Sequence, residues 1–304
     1  MNLQALLLQT WRLDPLAILA VLSAVGVYLG ATRARLHPRA PYLVAAVAFV
    51  VLAVASPVGA LSDGYLFSAH MLQHLLLVLV VPPLALLGLG RADLPAGRAR
   101  PHPPAPSPLA ERGSRAEGDE VSPSPPAERG RGGEVSRRGP GGEVVAWLLG
   151  VSAMWLWHAP TLCNAASQSG VVHRIQEASL LVMGTAYWWP ILAPRPSARL
   201  SPMRGIAYLF TACTACTVLG IVVTLSPVEV CSVYLHPIDR LGVMPLLRDS
   251  WGLTPDKDQQ LGGLLMWMPA CLVYGAGILG LLARWYRGDT QDLAGAPQSA
   301  QERA

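Results

Sequence analysis

Charge is what this 304-residue chain has least of: only 14% of its residues are Asp, Glu, Lys or Arg, while 52% are hydrophobic. An ordinary soluble domain carries about a quarter charged residues. The shortage is also uneven. Nine Arg and eight acidic residues fall between Arg91 and Glu143, leaving the other 251 positions about 10% charged. A soluble fold of this size needs a charged skin, so the composition excludes a cytosolic enzyme. Other features are missing too. No basic stripe with interleaved aromatics is present, which excludes nucleic acid as a partner despite the net charge of +4. Met1 to Gln9 has no positive start and no small-residue cleavage site follows, so it does not read as a secretory signal. No P-loop or Rossmann glycine spacing occurs. What remains is an all-α, polytopic membrane protein surrounded by lipid, with one polar insertion.

Seven apolar runs predict seven transmembrane helices: 15–31, 41–60, 66–89, 144–157, 172–192, 205–225 and 261–285. Run length favours helices over barrel strands, which would alternate over about ten residues. Arg33, Arg35 and Arg39 lie between the first and second runs, Arg195, Arg199 and Arg204 between the fifth and sixth, and Arg284 and Arg287 at the end of the seventh. The alternate loops are poor in positive charge, so the pattern predicts an N-terminus outside and a cytoplasmic C-terminus. The organisation expected is helices one to three in 1–91, an insertion in 92–142, helices four to seven in 143–288, and a disordered cytoplasmic tail in 289–304. The insertion holds ten of the 27 prolines and nine of the 29 glycines. It also repeats Pro-Ser-Pro-Leu-Ala-Glu-Arg-Gly at Pro106 as Pro-Ser-Pro-Pro-Ala-Glu-Arg-Gly at Pro123. Such chain cannot form a core and is expected to be disordered and cytoplasmic.

This topology places five of the seven histidines on the outer side: His70, His74, His158, His173 and His236. His70 and His74 are four apart on one helical face, with Gln73 beside them. Asp258, Gln259 and Gln260 stand at the outer entrance of the seventh helix, with Met266 and Met268 one to two turns deeper. Imidazole with thioether and carboxylate suits a soft-to-borderline metal, copper more than zinc or iron. The competing explanation is structural: an interfacial His can bond carbonyls, and Met more often packs than ligates. Cys163 and Cys231 fall in outer loops, where an oxidising compartment permits a disulfide between them. Cys213 and Cys216 form a C-x-x-C in mid-helix, a spacing that in a loop reads as metal or redox chemistry and in a helix of small residues as close packing.

The stretch from Ser56 through His70-Met-Leu-Gln-His74 to Leu77 resembles the CtaG family of cytochrome c oxidase assembly factors. Pro82-Pro83, Trp157-His158-Ala-Pro160, Tyr187-Trp-Trp-Pro190 and Asp258-Gln-Gln-Leu-Gly-Gly263-Leu-Leu-Met-Trp-Met-Pro269 continue the likeness, as do Trp11 and Asp14-Pro15 at the start. The resemblance implies a seven-helix, non-enzymatic factor of the bacterial inner membrane that matures haem-copper oxidase by handling copper. Its expected partners are cytochrome c oxidase subunits, with periplasmic copper chaperones as further candidates. By motif position it implicates His70, His74, His158, His173 and Asp258. Two features depart from the family pattern: Glu177 stands where relatives are expected to carry a further His, and the insertion is much longer than a short basic loop. The alternatives are a membrane cytochrome with haem between paired histidines, and a proton or metal transporter.

Overall fold

The computed structural model describes residues 3–32, 38–89 and 141–294. The chain divides into two compact units, and the smaller, Leu94–Arg137, lies outside the described residues, as does most of the predicted insertion. The described residues are helical, without strands. The helices are α1 (Leu3–Gln9), α2 (Pro15–Thr32), α3 (Ala40–Val54), α4 (Pro57–Ser62), α5 (Phe67–Leu75), α6 (Val81–Gly88), α7 (Gly142–Trp157), α8 (Pro160–Gln168), α9 (Gly170–Leu192), α10 (Pro202–Leu225) and α11 (Pro255–Ala294).

Each of the seven predicted runs is helical, but they are not equal as membrane spans. Ala40–Ser62, Phe67–Gly88, Pro202–Leu225 and Pro255–Arg287 are long and apolar enough to cross a bilayer. A fifth arises only if α7 and α8, bent by 73° at Ala159–Pro160, count as one broken span. Pro15–Gly30 is a shorter apolar helix. The helix α9 is 23 residues long but carries His173, Arg174, Gln176 and Glu177 in its first two turns. The stretch after Ala159, expected to be a loop, is largely the helix α8, begun by Pro160, whose fixed φ suits a first helical turn. The helix α11 continues to Ala294, so the expected tail starts as helix; 295–304 lie outside the described residues.

Proline shapes the third span. Between α5 and α6 the chain takes one π-helical stretch, Leu76–Val80, just ahead of Pro82-Pro83. Pro82 has no N–H to offer the carbonyl four residues earlier, that of Val78. That carbonyl instead accepts from the Trp188 indole at 3.1 Å, tying the span to α9. The two helices meet closely here because Gly184 has no side chain: a Cβ would stand 3.1 Å from the Val78 backbone.

The helices α10 and α11 run antiparallel, with Thr224 against Gly263, Gly220 against Trp267, and Leu209 against Gly277. The helix α5 packs on the start of α11. The main apolar core runs through α3, α5, α6, α7, α9, α10 and α11, and a smaller one gathers Leu6, Leu61, Tyr65, Leu66, Val243 and Leu247. The start of α5, the end of α7 and the starts of α9 and α11 therefore meet at one end of the bundle. A disulfide joins Cys163 on α8 to Cys231 across 68 residues, pinning the α10–α11 connection to that end.

Candidate metal centre

The end where these helices meet collects the polar residues singled out above. His70, Gln73 and His74 on α5, His158 at the end of α7, His173, Gln176 and Glu177 on α9, and Asp258 on α11 are all buried. The imidazoles form a chain. Ring centroids lie 4.2 Å apart for His70 and His74, 5.4 Å for His70 and His173, and 5.5 Å for His74 and His158.

Hydrogen bonding separates the four histidines by role. Nδ1 of His173 faces Asp63 at 2.9 Å and its Nε2 faces Oε1 of Gln73 at 3.1 Å, so both ring nitrogens are engaged by protein partners. Asp63, between α4 and α5, also pairs with Arg12. Burial alone would raise its pKa, but the bonds from His173 and Arg12 outweigh that and hold it at about 2. Nδ1 of His158 is 2.6 Å from the Met154 carbonyl and must donate to it. Its Nε2 then carries a lone pair and points at the Met71 thioether at 3.0 Å. Two acceptors thus face one another with no proton to share. Nε2 of His70 lies 3.5 Å from the Gln176 amide, and its Nδ1 has no partner among the described residues. His74 lies beside Gln176, yet neither of its nitrogens meets a partner there. Buried polar atoms are seldom left unpaired, so these nitrogens are open to a water or a ligand.

An enclosed cavity of about 20 Å³ opens below His74, lined by Met71, Met154, Met266, Cys216, Tyr187 and Tyr274 among others. That volume holds one water-sized occupant. A single ion fits this space, which is too small for a porphyrin.

Asp258 reaches the cluster in a different capacity. Its carboxylate accepts from the backbone N–H of Phe67 at 2.8 Å and of Ser68 at 3.1 Å, and from the Ser68 hydroxyl at 2.5 Å. It caps α5 from a distant helix, satisfying donors that the first helical turn leaves orphaned. Met266 is buried beside the cavity, whereas Met268 is 52% exposed. Two residues apart on a helix is about 200°, so both cannot face one site. Met268 is therefore not brought to the imidazoles. His236 is exposed on the loop after α10 and lines an open basin with Asp63 and His173.

Three further residues join the cluster that the expected ligand set did not include. Met71 shares a face with His74, an i, i+3 relation that was available as a signal. Glu177 receives bonds from Gln73 at 2.6 Å and Arg174 at 2.6 Å. Asp14 pairs with Arg174 at 2.7 Å while capping α2 through the Leu16 N–H at 2.8 Å. Glu177, where a further His was expected, is thus bound to Gln73 and Arg174. Among the described residues, no three His, Cys, Asp or Glu side chains converge to hold a metal by themselves.

The family described as cytochrome c oxidase caa3 assembly factor, Caa3_CtaG, matches residues 21–288. The chain belongs to this family. No curated protein and no solved structure matches it. The Caa3_CtaG match takes in all four clustered histidines, the Cys163–Cys231 disulfide and Asp258. It starts beyond Trp11 and Asp14-Pro15, so the N-terminal part of the resemblance stands on those residues alone.

Proposed function

We propose that the chain serves cytochrome c oxidase assembly as a membrane copper carrier, with copper as its cargo. Cu(I) would be held by Nε2 of His158, a ring nitrogen of His74 and the thioethers of Met71 and Met266. His70 stands alongside as an exchange ligand. The observation that carries this is the His158 Nε2–Met71 Sδ approach at 3.0 Å, two lone pairs with a cation as the natural mediator. Nitrogen and thioether donors favour the softer, monovalent ion, and they release it more readily than a thiolate pair does. His173, with both nitrogens committed to Asp63 and Gln73, orients the cluster. Asp258 holds the α5 start in place. Arg clustering in alternate loops supports an outward-facing site, and the carrier would work in a bacterial inner membrane within reach of an oxidase subunit or a periplasmic chaperone. The role is binding and transfer rather than catalysis.

A strain lacking the chain, complemented with His158→Ala or Met71→Leu, tests this through the copper-to-haem ratio of its purified oxidase. The reading expects normal haem and depleted copper. Full copper with either variant would remove it.

A further inference from the structure

The C-x-x-C of α10 plays no part in the imidazole centre. In the folded chain Cys213 faces Cys271 of α11, with the sulfurs 3.4 Å apart. The Thr217 hydroxyl, one turn along, is also 3.4 Å from the Cys271 sulfur. Both thiols are free and neither is fully buried. Cys216 points the other way, to the Tyr274 hydroxyl at 3.7 Å, and lines the enclosed cavity that reaches His74 and Met266. The dithiol therefore sits one helical turn from the floor of the imidazole cavity, across a seam of two tightly packed helices.

We propose that Cys213 and Cys271 form a second, thiol-based site for Cu(I), distinct from the imidazole–thioether centre. Sulfur donors select soft ions. Zinc would require four ligands in a tetrahedron, and this seam supplies two sulfurs and a hydroxyl. No group of three or more His, Cys, Asp or Glu stands ready for a metal among the described residues. Cu(I) accepts two-coordinate ligation, which a facing pair of thiols provides. Charge at membrane depth is costly, so binding is expected to stay neutral. One thiol gives its proton to water as the Cu–S bond forms, and the second ligates through a sulfur lone pair while keeping its proton, with the Thr217 hydroxyl beside it and not bound to copper. No electron is transferred. Two sulfurs in contact offer a soft ion a ligand pair that Ala or Ser packing at these positions would not.

The test is anaerobic titration of the reduced full-length protein in detergent with Cu(I), against a chromophoric Cu(I) chelator, reading stoichiometry and copper-edge X-ray absorption. Wild type is expected to bind two copper ions. His74→Ala/His158→Ala is expected to keep one, with sulfur scattering only and one proton released. Cys213→Ser/Cys271→Ser, shown folded by unchanged helical circular dichroism, is expected to keep the imidazole-bound copper alone. Unchanged stoichiometry in the cysteine variant overturns the proposal. So does a Cys213–Cys271 disulfide in the isolated protein combined with no thiol-bound copper after reduction. Failure of the imidazole centre registers separately, as unchanged stoichiometry in the histidine variant.

Discussion

Replacing Asp258 separates its two conceivable roles, metal ligand and helix cap. Its carboxylate accepts three hydrogen bonds from Phe67 and Ser68, in a position with no solvent exposure. In Asp258→Ala the two backbone N–H groups and the hydroxyl lose their acceptor together. Each buried donor left unsatisfied costs about 1–3 kcal/mol, and the hydroxyl can turn elsewhere, so the expected loss is about 3 kcal/mol. Asp258→Asn keeps one acceptor oxygen and is expected to lose about 1–2 kcal/mol, close to the loss of an ordinary cap. Reversible unfolding of the metal-free protein in detergent measures both. A ligand would behave differently: the metal-free protein would unfold as wild type does, and only copper-dependent stabilisation would disappear. An Asp258→Ala variant within about 0.5 kcal/mol of wild type without metal would refute the capping argument.

Other consequences are independent of that one. Removing the Cys163–Cys231 bridge, which closes a 68-residue separation, is expected to cost about 4 kcal/mol, read by comparing Cys163→Ala/Cys231→Ala with wild type under oxidising conditions. Trp188→Phe leaves the Val78 carbonyl without the indole that replaces the missing Pro82 N–H; a loss of about 1–3 kcal/mol in unfolding free energy is expected. The Asp63 carboxyl ionises at about 2 in the folded chain against an ordinary 3.8. Its folded pKa is depressed, so its stabilisation is complete above the ordinary value and is lost as pH falls through the folded one. Unfolding free energies measured between about pH 4 and pH 2 should fall by up to about 2 kcal/mol in wild type and less in Asp63→Asn. Gly262→Val would push a side chain into Phe67, 2.5 Å from the Cβ position, and is expected to cost at least about 1–3 kcal/mol and to weaken copper retention by shifting α5.

The helices were legible because lipid demands long apolar runs, and each of the seven runs is helical. Their standing as spans was less legible. The polar residues that open α9 serve a buried network with Gln73, Asp14 and Asp63, and only tertiary structure reveals that use. The bend at Pro160 likewise needs the fold: Trp157-His158-Ala-Pro160 reads as a helix end, and nothing local shows that helix resumes at 73°. At the site, the i, i+4 pair His70 and His74 was visible from periodicity alone. Which imidazoles keep a free lone pair was not, because that depends on Asp63, Gln73 and the Met154 carbonyl, which come from three separate elements. Asp258 looked like a ligand because a carboxylate beside histidines usually suggests one. In the fold its carboxylate accepts from the backbone N–H groups of Phe67 and Ser68, 191 and 190 residues away, and from the Ser68 hydroxyl. Met268 was excludable by helical geometry once Met266 was assigned inward.

The most direct measurement is copper bound per chain by the purified, reduced protein, compared among wild type, His74→Ala/His158→Ala and Met71→Leu. The account predicts that the histidine variant loses the nitrogen-ligated copper entirely, and that Met71→Leu binds it at least tenfold more weakly. Equal copper, equally tightly held, in all three proteins would contradict it.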